Sequence, residues 1–261
     1  MKYKYLNEVL LNWNSDKDFQ DNSIIKSSDI KKKISGCFIY KIEDKPSRIK
    51  IFDLRWPKYR TYKHKVYIND EHIELKRGET VKKFAPGEYM VYIEDINQVE
   101  DTGYMFYKCH QLVKAYIPNS ITSISHDTFY GCSSLISINI PNSVTSIGEF
   151  AFGDTLWYNN QPDGLIYAGL VVYKHKGIMP DGTSIVLNDG TKGIADRCFS
   201  RNRRITSITI PNSIISIGYN AFLECNNLKT VYVEDINKFN QIKFGNEFSN
   251  PLCYGAKLIE I

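Results

Sequence analysis

The sequence predicts a mainly β protein with short helical turns, a repeat solenoid preceded by a small β-rich domain. Three observations carry this expectation. A thirteen-residue phrase is written three times, as "IPNSITSISHDTF" from Ile117, "IPNSVTSIGEFAF" from Ile140 and "IPNSIISIGYNAF" from Ile210. Phenylalanines fall in register with it at Phe106, Phe129, Phe152, Phe199 and Phe222, at spacings of 23, 23, 47 and 23 residues. Residues 1–93 carry no such repeat, only short alternating runs punctuated by turn residues.

In chain order, the first element is a short helix with Tyr5, Leu6, Val9, Leu10 and Trp13 on one face. Strands follow at "CFIYKI", "RIKIFDL", "HKVYI", "HIEL" and "GEYMVYI", separated by turn clusters at Asn69-Asp70, Arg77-Gly78 and Pro86-Gly87. These make a small β-rich domain, a sandwich being one arrangement, that would cap the first coil. The phrases "VYIEDIN" at 91–97 and "VYVEDIN" at 231–237 bracket the repeats as the strands entering the first coil and leaving the last.

Within one unit, Leu135, Ile138 and Ile140 follow the L-x-x-L-x-L spacing of a leucine-rich repeat strand. Strand alternation sends Ile138 and Ile140 inward and Ser137 and Asn139 outward. Pro141 ends the strand, Asn142 and Ser143 suit the bend, and Val144 and Ile147 return to the core. Gly148 permits close approach into the short helical turn that buries Ala151 and Phe152. No coil of this length buries its own apolar edges, so the coils must stack. The 47-residue spacing is one period plus 24 inserted residues. In that insert, "DGLIYAGLVVYKHKG" reads as a β-hairpin around Ala168-Gly169. Its aromatics, Trp157, Tyr158, Tyr167 and Tyr173, either pack back on the solenoid or form a binding protrusion. The organisation is therefore an N-terminal β-rich domain over 1–93, repeats over 94–233 with the insert at about 153–177, and a C-terminal cap over 234–261. In that cap Phe239, Ile242, Phe244, Phe248 and Leu252 cover the final coil.

Charge is unevenly spread. The chain has 33 Lys and Arg against 29 Asp and Glu, of which 20 and 13 lie in residues 1–93, so the N-terminal third is basic and the repeats are mildly acidic. The opening "MKYKYLNEVLLNW" lacks the uninterrupted apolar run of a secretion signal, which predicts synthesis in the cytoplasm and a final site on a cell surface by a non-standard route or in a virion. No apolar run is long enough for a membrane-spanning helix, so no membrane insertion is expected.

The residues offer little chemistry for catalysis. The six cysteines form no CxxC pair, and Cys109, Cys132 and Cys225 each stand three residues after a register phenylalanine, where a small buried hydrophobe is expected. In the equivalent place of the fourth coil Asn202 stands between Arg201 and Arg203, which would present its arginines outward. The five histidines share no metal-binding spacing, and there is no GxSxG and no phosphate-cradling loop. No enzyme, metal or cofactor is expected.

Two surfaces remain as binding candidates. The outward strand positions are Lys114 and Tyr116, Ser137 and Asn139, Ser184 and Val186, Ser207 and Thr209, and Thr230 and Tyr232, a polar ladder flanked by two tyrosines. Its competing explanation is that small polar residues merely keep a sheet face soluble. The other surface is "RWPKYRTYKHKVY", where Arg55, Lys58, Arg60, Lys63 and Lys65 interleave with Trp56, Tyr59, Tyr62 and Tyr67. That mixture suits phosphates and bases, an anionic glycan or an acidic protein, but no nucleic-acid motif accompanies it, and a solvated strand-and-turn accounts for it better.

The units "IPNSVTSIGEFAFGD" and "FYGCSSLISINIP" resemble the BspA-type leucine-rich repeats of gut and oral bacteria, some protists and bacteriophages, over about residues 100 to 255. The insert Leu156 to Gly177 and "KFGNEFSNPL" resemble decorations recurrent in that family. The resemblance implies a curved, right-handed solenoid with a parallel sheet on its concave side, which would carry the polar ladder. It also implies surface recognition or adhesion and brings no catalytic residues. The expected function is a recognition module for a protein or glycan ligand. The alternative is a structural or host-attachment component of a large assembly such as a phage virion, its basic N-terminal part docking to neighbouring subunits.

Overall fold

A computed structural model of the chain describes residues 36–43, 47–50, 66–69, 71–73, 81–93 and 102–261. The leading helix expected at residues 5–13 lies outside them.

Strands β1 (Gly36–Ile42), β2 (Ser47–Lys50), β3 (Val66–Ile68), β4 (Glu71–Ile73), β5 (Val81–Phe84) and β6 (Gly87–Ile93) precede the repeats. The repeats begin with β7 (Leu112–Tyr116), β8 (Ser123–Ile124), β9 (Ser137–Asn139) and β10 (Ser146–Ile147). The insert follows as helix α1 (Leu156–Asn159) and strands β11 (Gly164–Ala168) and β12 (Val171–Lys176). The remaining coils supply β13 (Thr183–Val186), β14 (Gly193–Ile194), β15 (Ile205–Ile210), β16 (Ser216–Ile217), β17 (Thr230–Val233), α2 (Ile236–Phe239), β18 (Lys243–Phe244) and β19 (Lys257–Glu260).

The architecture is a right-handed leucine-rich-repeat solenoid. Each coil contributes one strand to a front sheet and one two-residue strand to a back ladder, and on either side of the insert these pair in parallel with their neighbours. The repeated phrase is legible atom by atom. The carbonyls of Pro118, Pro141 and Pro211 accept from the amides of Ile121, Val144 and Ile214, closing the turn after each front strand. Ser143 and Ser213 hydroxyls donate at 2.8 Å to the carbonyls of Ile121 and Thr191 in the coil before, so the serine of "IPNS" ties coil to coil. Gly148 and Gly218 amides then donate at 2.8 Å to Ile124 and Ile194. A Cβ on Gly148 would lie 2.3 Å from the His126 amide nitrogen, so this glycine is required by close backbone approach.

The phenylalanines form the spine of the core. Phe106 and Phe129 stack at 5.1 Å, Phe129 and Phe152 at 5.9 Å, and Phe199 and Phe222 at 5.4 Å, all fully buried. The cysteines three residues on pack as small hydrophobes and donate as well: Cys132 Sγ reaches the Phe106 carbonyl and Cys225 Sγ the Phe199 carbonyl, both at 3.0 Å.

The insert does not project. Its second strand joins the back ladder, with Val171 and Val172 paired in parallel to Gly193 and Ile194 as a coil's own short strand would be. Tyr173 packs edge-on against Phe152 at 5.2 Å and Trp157 does so at 4.8 Å, so the insert's aromatics extend the phenylalanine stack. Of the two expectations for these side chains, packing back is what the structure shows. Both sheets are interrupted here: the back ladder of the first coils ends at β10, and the front sheet breaks between β9 and β13. β9 is hydrogen-bonded to β7 and begins one sheet edge; β13 is hydrogen-bonded to β15 and begins another. The core forms two interleaved clusters there, one from Phe38 to Tyr173 that also takes in Ala195 and a second from Val172 to Ile242.

At the N-terminal end, β6 is not the strand that enters the first coil, as "VYIEDIN" had suggested. β1 lies between it and β7, antiparallel to both, giving the order β4-β3-β6-β1-β7-β9. The N-terminal strands thus extend the front sheet rather than standing apart as a closed sandwich, while β2 and β5 pair as a separate ribbon. Phe38 packs against Phe106 with ring centres 4.2 Å apart and the planes tilted by 36°, continuing the spine across the junction.

Candidate functional site

The outward ladder is present and in register over the second half of the solenoid. Ser184, Ser207 and Thr230 are direct neighbours on successive strands, and so are Val186, Thr209 and Tyr232. β19 adds Lys257 and Ile259 to the two rows, which the sequence reading did not include because residues 234–261 lack the repeat. Ser184 and Ser207 hydroxyls hydrogen-bond each other at 2.6 Å, which organises the polar row. The second row is more apolar than expected: Val186 is 64% and Ile259 40% exposed, with half-buried Tyr232 between them.

The first half is separate. Lys114 and Ser137 pair, as do Tyr116 and Asn139, but on the sheet that ends at β9. Tyr116 and Lys114 face Cys37 and Ile39 on β1, which are 1% and 8% exposed, so this end of the ladder runs into buried surface. Burial pushes the Tyr116 phenol above its usual range. Tyr116 and Tyr232 therefore do not flank one continuous face. Arg55, Trp56, Lys58, Arg60, Lys63 and Lys65 lie outside the described residues.

Arg201 and Arg203 of the unusual fourth coil are both exposed, Arg201 in a local pair, and two neighbouring arginines are paired as well. Arg201 Nε lies 3.5 Å from Glu224, Arg204 Nε 3.4 Å from Asp181, and Arg197 Nε 2.9 Å from Glu149. Asn202, in the cysteine position, instead donates to Met179 Sδ and accepts from the Arg204 amide. Asp196, beside Arg197, accepts from the Tyr219 amide at 2.7 Å, and burial nonetheless raises its carboxyl above the usual range. Among the described residues no group of three or more His, Cys, Asp or Glu is placed to hold a metal ion, and no helix is long and apolar enough to cross a membrane.

These coils define a leucine-rich repeat protein, and a family model settles which kind. The BspA type leucine rich repeat region matches in six copies over residues 99–160 and 181–251. The chain belongs to that family, whose repeats typically mediate protein interaction or adhesion and are in general non-enzymatic. The gap in the match coincides with the insert hairpin. Among solved structures, the chain is similar to a leucine-rich repeat protein of T. pallidum, at 25% identity and a TM-score of 0.26 over 50% of each chain. It is also similar to a leucine-rich repeat protein from Bacteroides ovatus, at 25% identity and a TM-score of 0.25, over 50% of this chain and 27% of that one. A leucine rich cell surface protein from Faecalibacterium prausnitzii matches at 17% identity and a TM-score of 0.25, over 54% and 65%. The chain thus spans about half the length or less of the first two. No curated protein matches.

Proposed function

We propose that the chain is a non-enzymatic recognition module that engages a protein partner through the exposed face of β13, β15, β17 and β19. One observation carries this reading: a hydroxyl row, Ser184, Ser207 and Thr230, runs beside a row containing exposed Val186 and Ile259 with Tyr232 between them. Solubility alone accounts for the first row but not the second, since an apolar row on an open sheet face gains nothing from water. Tyr232 sits between Thr209 and Ile259, with Val186 beyond Thr209, and an aromatic among aliphatic and small polar side chains suits a binding hot spot. The sheet beneath is rigid, each strand held on both sides except at β13 and β19.

The test compares the chain with a Val186→Asp/Tyr232→Ala variant. Both are immobilised and challenged with surface-protein fractions from candidate host and neighbouring cells, after size-exclusion chromatography has shown both to be folded and of the same size. Capture of a defined protein by the native chain and not by the variant supports the reading. Equal capture by both refutes this face. Recovery of the native protein only inside a salt-resistant large particle would replace the reading with that of a structural subunit.

A further inference from the structure

The face of β13, β15, β17 and β19 is graded in charge along the strand direction. At the strand starts stand Arg203 and Arg204 before β15, Lys229 before β17 and Lys257 as the first residue of β19, all exposed. Arg204 is paired with Asp181, and Arg201 with Glu224, but Arg203, Lys229 and Lys257 are in no ion pair among the described residues. At the strand ends the sign reverses. Asp189 follows β13, Glu234 and Asp235 follow β17, and Glu260 closes β19, again with no ion pair among the described residues. Asp235 and Glu260 accept from backbone amides of α2, whereas Asp189 and Glu234 are exposed; Lys238 of α2 is the basic side chain beyond this rim.

Between the rims lie the two rows, and each suits the rim beside it. The hydroxyl row of Ser184, Ser207 and Thr230 adjoins the basic starts and ends in Lys257 itself. Hydroxyl hydrogens and ammonium groups both favour a carboxylate. Ser184 and Ser207 share one hydrogen bond, so one of their two hydroxyl hydrogens is left to donate. The row containing Tyr232 and Ile259 adjoins the acidic ends, with Glu234 two residues beyond Tyr232. Its ring and aliphatic surface suit the long stem of an arginine or lysine, whose charged head then reaches the Glu234 carboxylate.

The size of the face selects the kind of occupant. Strands about 4.8 Å apart make it about 19 Å long, and the chain rises about 17 Å from Lys229 to Glu234. The product, about 320 Å², is well under the ~800 Å² per partner of a stable interface between folded proteins. It fits a segment of chain. Laid along the rows, an extended segment sends successive side chains to opposite sides, and about six residues cross the four strands. We propose, resting on the recognition role given to this face above, that it takes an extended segment of the partner protein in which acidic and basic residues alternate. The carboxylates lie over the hydroxyl row toward Lys229 and Lys257, and the basic stems lie over Tyr232 and Ile259 toward Glu234.

The probes are two fluorescein-labelled octapeptides of one composition, Glu and Arg alternating or a block of Glu followed by a block of Arg, titrated with the full chain at low salt and followed by anisotropy. Expected is saturable binding of the alternating peptide that weakens with added NaCl, the block peptide binding about fivefold or more weakly. That comparison uses the native chain and so does not depend on any variant folding. The variants are Lys229→Glu/Lys257→Glu at one rim and Glu234→Lys at the other, with exposed Lys108 and Lys243, on the first coil and the back ladder, changed to Glu as a charge-matched control. Each rim variant should lose about tenfold or more in affinity and the control less than about twofold. The two rim variants shift net charge in opposite directions, so loss in both cannot come from overall attraction. Absence of binding, equal binding of the block peptide, an unchanged rim variant or equal loss in the control overturns the proposal. The capture assay keeps the two readings apart: a protein partner lost by Val186→Asp/Tyr232→Ala but held by both rim variants leaves the recognition face standing and overturns the alternating segment.

Discussion

The phenylalanine spine makes a quantitative claim that substitution can test. Phe129 and Phe222 are both 0% exposed and stand at the same coil position, but Phe129 is stacked between Phe106 and Phe152, whereas Phe222 stacks on Phe199 alone among the described residues. Replacing each by Leu keeps the site apolar and removes the ring. The repacking cost common to both sites is about 1 kcal/mol. Each lost ring pair adds about 0.5–1.5 kcal/mol beyond burial. Phe129→Leu is therefore expected to cost about 2–4 kcal/mol and Phe222→Leu about 1.5–2.5 kcal/mol. The assay is urea unfolding of both variants and the native chain, followed by tyrosine and tryptophan fluorescence and by far-ultraviolet circular dichroism, with slopes compared to establish a common transition. A larger midpoint shift for Phe129→Leu is the predicted result. Equal shifts, or a larger one at 222, would refute the view that ring stacking between coils adds stability beyond burial.

Three further outcomes follow from features of single coils. Gly148→Ala is expected to destabilise by more than about 2 kcal/mol, because its Cβ would collide with the His126 backbone, and thermal unfolding measures it. In native protein at pH 8 a thiol-reactive chromophore should titrate one cysteine, exposed Cys253; burial holds Cys132 and Cys225 up at about 12, and all six react once urea is added. Asp196→Asn should stabilise the fold at neutral pH, because burial raises the Asp196 carboxyl in the folded state and so penalises its charged form. Stability associated with a raised carboxyl is present below the unfolded-state value and lost as pH rises through the folded one. The advantage of Asn should therefore fade as pH falls through the ordinary aspartate range near ~3.9, which urea midpoints across pH will show.

Where the sequence repeats, position could be read directly. Ser184, Ser207 and Thr230 were aligned from spacing alone, and the strand register places them side by side, because a period fixes both which residues are equivalent and which strands are neighbours. That logic stops where the period stops. Tyr173 follows Phe152 by 21 residues instead of 23, so its role in the aromatic stack is invisible to register, although Phe152 reaches it. Likewise "GCFIYKI" and "GEYMVYI" read equally well as strands. Nothing in their local pattern says that the first, and not the second, pairs with β7, since strand order among unlike strands is settled by packing such as that of Phe38 on Phe106. Of the candidate face, the rows were legible and their interruption was not: β9 and β13 each end a sheet and do not pair with each other, while Val171 and Val172 of the insert pair with Gly193 and Ile194 as a coil's own short strand would.

The interrupted front sheet also bears on how the molecule carries load. Between most neighbouring coils, tension along the solenoid axis is shared by a front strand pair and a back ladder pair. Between the coil of β9 and β10 and the coils that follow, the front pair and the back ladder pair are both missing, and the join is made by single links such as the Asp196 amide on the Ile147 carbonyl, the Ser216 hydroxyl on the Thr145 carbonyl and the Phe152–Tyr173 ring contact. In a stack whose stability is a sum over neighbours, the joint with fewest bonds yields first. A chain pulled from its two ends should therefore part there, releasing two units and leaving each front face intact. The hairpin acts as a mechanical fuse, and a surface used for attachment would sit on the far side of it from the N-terminal strands.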